Sequence, residues 1–300
     1  MILDDFAGPG GWDEGLRMIG RTDTVGVEKD AHACMTAAAA GHVRVQADVE
    51  HCPLDLKRGD VEGYVSSPPC PDFSTAGRGA GRTGESGRLV TVPLQRVLSL
   101  RPEWTAWEQV REVLPIWREC AHDLRAAGYR VWTGLLNAAD FGVPQDRIRA
   151  VLLASRTTSV TPPTPTHGDG GMLGDLPPHR TLADVIGLEP GWVYDSGQNS
   201  VLAGGRIERY RRSCDRPAGT LTTKAASQWN LLGPNGEVRK ITVPEASTIQ
   251  TFPAIYPWVG MREEQLRQIG NAVPPLLSAH IGQALNLGAL PVGLAAVGAS

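Results

Sequence analysis

The chain is poor in cysteine, and the few it has stand in no metal or disulfide spacing. There are five in 300 residues (34, 52, 70, 120 and 214), odd in number, far apart and without a Cys-x-x-Cys pair. That pattern argues against a disulfide framework and a thiolate zinc site, and sets the expectation of a reducing compartment. Long apolar runs are missing too, and none approaches the ~18 residues of a membrane span. The strand-like Ile2-Leu3-Asp4-Asp5-Phe6 follows Met1 directly. It leaves no room for a cleavable leader, so a soluble, unexported chain is expected. Nor is there a basic excess: 29 basic against 32 acidic side chains give a formal net charge of −3. A generally basic nucleic-acid coat protein is thereby disfavoured, while local basic patches on an acidic body stay open.

Two such patches exist. Arg78, Arg82 and Arg88 lie in a glycine-rich stretch from Ala76 to Arg88, and Arg206, Arg209, Arg211, Arg212 and Arg216 cluster further on. Solvated charged faces and phosphate contacts both satisfy these patterns.

Apolar content of 41% over this length supports a large core, as one large domain or one large and one small. Up to about Ser155, strand-like and helix-like runs alternate: Ile2 to Phe6, Trp12 to Ile19, Thr24 to Val27, Ala31 to Ala40, Gly63 to Ser66, then Glu112 to Ala127, Tyr129 to Leu136 and Ala150 to Ala154. The alternation predicts an α/β fold with a largely parallel sheet. From residue 157 to about 240 the rhythm breaks, beginning at the linker Thr161-Pro162-Pro163-Thr164-Pro165-Thr166, and a second, less regular module is expected. Helical sequence resumes at Pro244 to Gln250, Arg262 to Ile269 and Leu276 to Leu287.

Asp4-Asp5-Phe6-Ala7-Gly8-Pro9-Gly10-Gly11 leads from a strand into a helix, and Glu28 ends the next strand twenty residues after Gly8. This is the context of a nucleotide-binding turn with a carboxylate for ribose hydroxyls. Asp13 stands where a dinucleotide fingerprint has its third glycine, and Asp4, Asp5, Asp13 and Glu14 flank the turn. Those acids disfavour a pyrophosphate and suit an adenosine with a cationic tail, as in S-adenosylmethionine. A structural glycine turn with solvated acids satisfies the same residues.

Cys70 sits between prolines in Ser66-Ser67-Pro68-Pro69-Cys70-Pro71-Asp72-Phe73-Ser74, directly after a strand-like run. Prolines hold the backbone extended there, presenting one thiol in one orientation, as a nucleophile requires. A buried thiol in a tight turn is the plainer alternative.

In order along the chain, these segments resemble the cytosine-5 DNA methyltransferases over nearly the whole length. The resemblance rests on Phe6-Ala7-Gly8-Pro9-Gly10-Gly11, Glu28, Asp48, Pro69-Cys70, Trp107-Glu108-Gln109-Val110, Gln145-Asp146-Arg147-Ile148-Arg149, Arg239-Lys240-Ile241-Thr242-Val243-Pro244-Glu245 and Gly270-Asn271-Ala272-Val273-Pro274. Pro71, Asp72, Gln109 and Lys29 depart from the usual pattern and put the loop geometry near the base in question. The resemblance implies a Rossmann-like S-adenosylmethionine-dependent methyltransferase domain with a smaller, irregular target-recognition domain. The first would occupy residues 1–156 and 262–300, the second 157–261.

It also implies roles. Cys70 is the nucleophile at cytosine carbon 6; Glu108, walled by Trp104 and Trp107, donates to ring nitrogen 3; Arg147 holds the base's carbonyl oxygen; Arg149 braces neighbouring carboxylates. Phe6, Ala7, Gly8, Gly10, Gly11, Glu28, Lys29, Asp48, Val49, Pro69, Leu89, Asn271 and Ala272 are expected around the cofactor, with S-adenosylhomocysteine as product. Ser74, Arg78, Arg82, Arg88, Arg206, Arg209, Arg211, Arg212, Thr220 and Thr222 are expected on double-stranded DNA, with Gln198, Asn199 and Gln228 as base-reading candidates. No metal or membrane is implied. A monomer in the cytoplasm on bacterial or phage-encoded business at the nucleoid, with a cognate restriction endonuclease as a possible partner, completes the expectation. The alternatives are an RNA (tRNA) cytosine-5 methyltransferase, a catalytically silent DNA-binding regulator, and a nicotinamide oxidoreductase.

Overall fold

The computed structural model describes residues 1–69, 87–169, 176–201, 207–222 and 228–291, with the side chains of 198–201 and 207–210 excepted. Cys70, Ser74, Arg78, Arg82 and Arg206, and the side chains of Gln198, Asn199 and Arg209, lie outside the described residues. Within them the chain divides into two units, Met1–Asn137 with Ile148–Thr164 and Pro275–Pro291, and Ala138–Arg147 with Pro165–Pro274. Residues 262–274, expected with the first domain, group with the second unit.

In the first unit, β1 (Ile2–Asp5), β2 (Thr24–Glu28), β3 (Val43–Gln46), β4 (Gly63–Ser66), β5 (Trp104–Val110), β6 (Arg130–Asn137) and β8 (Ile148–Ser155) form a seven-stranded sheet in the order β3-β2-β1-β4-β5-β8-β6. The first five strands pair in parallel, and β8 runs antiparallel to both β5 and β6. The sheet is thus the largely parallel one expected, with an antiparallel end that the alternation of runs did not reveal. Strand order reverses between β1 and β4, which leave the sheet side by side with Asp5 opposite Ser66. Such a switch point opens a crevice at the carboxyl ends of the strands.

Strand alternation sorts the core. Leu3, Tyr64, Trp107 and Leu152 join one cluster with Val97 and Leu100 of α3 (Val92–Leu100) and Trp117 and Leu124 of α4 (Leu114–Ala126). Asp4 and Glu108, at the intervening positions, point to the opposite face. Asp30 caps α2 (Ala31–Ala39), its side chain accepting from Ala33 N. The helix α8 (Pro275–Ala284) packs on α1 (Gly11–Met18), where Ser278 Oγ donates to Trp12 O at 3.3 Å. A Cβ at Gly15 would overlap the Pro275 carbonyl oxygen and the Ser278 side chain.

In the second unit, β9 (Val193–Val201), β10 (Ile207–Ser213), β12 (Asn230–Leu232) and β13 (Val238–Lys240) form a sheet in the order β10-β9-β12-β13. A two-residue parallel pairing joins β7 (Gln145–Asp146) to β11 (Ala218–Gly219). Its core gathers Leu182 of α5 (Leu182–Ile186), Tyr194, Trp229, Leu231, Ile249 of α6 (Val243–Ile249) and Leu266 of α7 (Arg262–Asn271). Tyr194 and Trp229 stack with centroids 4.4 Å apart. Thr242 and Glu245 form a capping box on α6, and Glu245 also takes the Arg239 fork at 2.7 and 2.9 Å. The motif-like run from Arg239 to Glu245 therefore has a local structural reason.

Gly15→Ala should gain helix propensity yet lose stability by about 1–3 kcal/mol, because the methyl has nowhere to go. Denaturant unfolding checks the sign, and a stabilised variant would mean the two helices are not in close contact.

Candidate active site

The turn after β1 needs backbone that side chains resist. Gly8 (φ 55°) and Gly10 (φ 116°) are left-handed, and Phe6 (φ 63°) is drawn into the same region. Ala7 N donates to Val27 O at 3.1 Å and Gly8 N to Glu28 Oε2 at 2.9 Å, while Glu28 Oε1 accepts from Asp30 N at 2.8 Å. The Glu28 carboxylate is therefore fixed beside the turn. Among the described residues nothing lies within 4 Å of where a Gly8 Cβ would stand, which leaves that face of the turn open to them. The α1 helix begins at Gly11 with its first N–H groups at the same place. Lys29 is exposed, Asp48 and Pro69 are half-buried, and Val49 and Leu89 are buried, all in the first unit. Asp48 Oδ1 accepts from Glu50 N at 3.0 Å, capping the 3-10 turn Val49–His51.

The acids around the turn do not act as the sequence suggested. Asp13 takes a fork from Arg44, Nη1 to Oδ1 at 3.1 Å and Nη2 to Oδ2 at 2.7 Å, and Arg44 Nε donates to Gly8 O at 3.3 Å. Burial works to raise the Asp13 pKa, but Arg44's charge and hydrogen bonds override it and hold it below the ordinary 3.8. Glu14 meets Arg17 at 3.1 Å and His42 at 2.8 Å, and Asp5 meets Tyr64 and Arg96, each at 3.0 Å. Asp4 is wholly buried and its carboxylate oxygens have no hydrogen-bond partner among the described residues. Burial, then the charge of Asp13, raises its pKa well above 3.8 against the pull of Arg44. The flanking acids thus serve the interior, and Glu28 faces the turn with a bonded carboxylate. Arg44, missed in sequence reasoning, is the residue that pairs Asp13.

Beside this turn, the segment leading to Cys70 is pinned from two directions. Trp12 Nε1 donates to Ser67 Oγ at 3.0 Å, and the Gln109 amide donates to Pro68 O while accepting from Val110 N. Gln109, an apparent departure from the family pattern, is a buried brace for the two prolines.

Glu108 is 4% exposed and forms an ion pair with Arg149, Nε to Oε1 at 2.9 Å. The contact is close without hydrogen-bond alignment. Arg149 thus lies against the Glu108 carboxylate. Trp107 does not wall Glu108: it points to the other face of β5, donates to Thr105 Oγ1 at 2.6 Å and packs edge-on against Trp117. Trp104 shares Glu108's face but lies four residues back, about 13 Å along a strand.

Arg147, expected on a base, is 3% exposed within the second unit. Its guanidinium donates to the carbonyls of Leu221 (3.4 Å), Gly270 (3.3 Å) and Ala272 (3.1 Å). Such a fork is committed to main chain, which corrects the expectation of a base contact. Gln145 is fully buried, donating to Gln250 Oε1 at 2.7 Å and accepting from Leu221 N at 2.9 Å, and Gln250 Nε2 donates to Ala272 O at 2.6 Å. Gln145 and Gln250 were missed as hubs, although a glutamine next to an arginine motif was the available signal. Asn271 is exposed and Ala272 buried at the end of α7.

Among the arginine and threonine candidates, Arg88 is exposed and ion-paired with Glu50, and Arg211 is exposed on β10. Arg212 is half-buried against Gly219 and hydrogen-bonds Tyr194, whose hydroxyl also accepts from Gly219 N at 2.6 Å. The Thr220 hydroxyl donates to Asp146 O at 2.9 Å, and Thr222 is half-buried. Among the described residues no group of His, Cys, Asp and Glu is arranged to hold a metal, and no helix is long and apolar enough to cross a membrane.

The family model for C-5 cytosine-specific DNA methylase matches residues 1–170 and 179–286. Type II methyltransferase M.AplI of Arthrospira platensis is 30% identical over 304 residues, covering 96% of this chain and 86% of that protein. Type II methyltransferase M.NgoFVII of Neisseria gonorrhoeae is 30% identical over 317 residues, covering 91% and 83%. In fold, the chain is similar to a mutant DNMT2 of Spodoptera frugiperda, with a TM-score of 0.65 at 16% identity over 95% of this chain and 99% of that one.

Asp4 binds its proton more tightly folded than unfolded, so the stability it contributes falls as pH rises from 3.8 through its raised folded value. Asp4→Asn should remove that slope, at most about 1.4 kcal/mol per pH unit, so the variant gains on wild type as pH rises above the ordinary carboxylate range. Parallel stability curves for the two proteins would mean the Asp4 proton is not held.

Proposed function

We infer, because the chain belongs to the C-5 cytosine-specific DNA methylase family, that the switch point of its first unit is where methyl transfer to cytosine takes place. The chain is a DNA cytosine-5 methyltransferase that uses S-adenosylmethionine. Bound there, the cofactor supplies an electrophilic methyl group and leaves as S-adenosylhomocysteine. The residues fit it: the open glycine turn accepts its approach, the α1 N-terminus offers N–H groups, and Glu28 has lone pairs left for ribose hydroxyls. Asp48, Val49 and Leu89 serve its adenine end, and Phe6, Ala7, Gly10, Gly11, Lys29, Pro69, Asn271 and Ala272 complete the proposed set.

Carbon 5 of cytosine is a poor nucleophile, so the ring is first activated. Cys70, as thiolate, bonds to carbon 6; carbon 5 takes the methyl; the carbon 5 proton then leaves and the carbon–sulfur bond breaks, restoring the thiolate. Glu108, in its protonated form, donates that proton to ring nitrogen 3, drawing electrons from carbon 6 during attack. Arg149, ion-paired to Glu108, both orients that carboxyl and reaches the base's carbonyl oxygen, the role the Arg147 geometry does not support. The observation that carries this reading is the pinning of Ser67–Pro69 beside the glycine turn by Trp12 and Gln109, with Glu108 and Arg149 on adjoining strands.

Carbon 6 is buried in a stacked duplex, so the cytosine of double-stranded DNA is flipped out. Arg78, Arg82, Arg88 and Ser74 are assigned to the backbone around it. The module 157–261 recognises the target sequence, with Arg206, Arg209, Arg211, Thr220 and Thr222 as contacts; Arg212 acts there through Tyr194 rather than directly. A restriction endonuclease of matching specificity is proposed as partner, since the similar proteins are type II methyltransferases. Action as a monomer on the nucleoid completes the proposal.

Conversion sequencing of DNA from cells expressing the wild type should show protected cytosines in one short context, and Cys70→Ala should show none while keeping its thermal transition. Protection by the variant would overturn Cys70 as nucleophile, and protection confined to transfer RNA would overturn the substrate. Arg149→Met should lower kcat by roughly 100-fold or more. Arg147→Met should instead cost about 2 kcal/mol or more of stability by leaving buried carbonyls unpaired. The reverse pattern would return the base contact to Arg147.

A further inference from the structure

Three side chains meet beneath the cofactor turn in a way the reaction has not used. Asp5 at the end of β1 is fully buried, and its Oδ2 accepts from the Tyr64 hydroxyl of β4 and from Arg96 Nε of α3, each at 3.0 Å. Stability alone does not call for such a group, because a buried ion pair gains little over packed apolar side chains. The far end of the guanidinium has a different target: Arg96 Nη2 donates to the main-chain carbonyl of Val49 at 2.8 Å. Val49 opens the 3-10 turn that Asp48 caps. The rigid, planar fork of arginine holds both contacts at fixed separation, which a lysine cannot do. Arg88, eight residues earlier, is ion-paired to Glu50 of the same turn, so two guanidiniums from one segment grip it.

We propose that Arg96, held by Asp5 and Tyr64, is a positioning residue that fixes the Asp48–Val49 turn against the adenine end of the cofactor and so sets adenine selectivity. The proposal rests on the cofactor assignment above. Arg96 acts through the Val49 carbonyl, and Asp5 determines which way its fork points.

The test is calorimetric titration of the full chain with S-adenosylhomocysteine and with S-inosylhomocysteine, in which a carbonyl replaces the adenine amino group. Wild type is expected to prefer the first. Arg96→Lys keeps a cation for Asp5 and loses the second donor, so affinity for S-adenosylhomocysteine should fall about tenfold and the preference should shrink by a similar factor. At saturating cofactor its kcat should stay within about twofold of wild type. Unchanged affinity and preference overturn the proposal, as does an equal loss for both compounds, which would mark general loosening. If Arg96→Lys does not fold, Tyr64→Phe carries the test: an approximately threefold loss confined to the adenine compound supports it, and no loss overturns it. Wild-type binding of neither compound would overturn the cofactor assignment itself, and this proposal with it, so the two failures are distinguishable.

Discussion

The parallel pairing of β1 with β4, with Asp5 opposite Ser66, is the constraint on which the first unit's chemistry depends. Two chain segments far apart in sequence leave a sheet at the same edge, one entering a glycine turn and the other a pair of prolines. Their distance is then set by the backbone ladder, spaced about 4.8 Å between strands, rather than by side chains that relax. Trp12 and Gln109 refine what the ladder fixes. A methyl donor and a thiol nucleophile need alignment to a fraction of an ångström, and hydrogen-bonded strands supply that stiffness at no cost in flexible side-chain entropy.

Arginines are used internally to an unusual degree. Arg44 binds the glycine turn and Asp13, Arg96 joins three elements, and Arg147 gathers three carbonyls. Each guanidinium replaces what would otherwise be several separate polar pairings with one rigid donor array. In a chain with a small acidic excess, three of the 29 basic side chains are thereby committed to internal contacts.

Much of the first unit was legible in the sequence because its elements alternate and its turns use glycine where left-handed backbone is required. The runs at Ile2, Thr24 and Gly63 read as strands for that reason. The strand at Trp104–Val110 did not, since Glu108 and Gln109 interrupt its apolar pattern; both are buried by pairing rather than by hydrophobicity. The glycine turn and Glu28 were also readable, whereas the acids around them misled: sequence shows a carboxylate but not its partner, and Arg44 lies 31 residues from Asp13. The same blindness assigned Arg147 to a base. Two arginines separated by a single residue look alike in sequence, yet one follows the two-residue β7 in the second unit and the other lies within β8 of the first.

The docking of α8 on α1 has a consequence for how the protein is made. Among the described residues α8 is the last helix, and its contact surface on α1, Gly15 and the Trp12 carbonyl, is synthesised more than 250 residues earlier. At ribosomal elongation rates of about 5–20 residues per second, the exposed face of α1 waits many seconds for its partner. A nascent chain stalled before Pro275 therefore leaves the side of α1 that receives α8 uncovered.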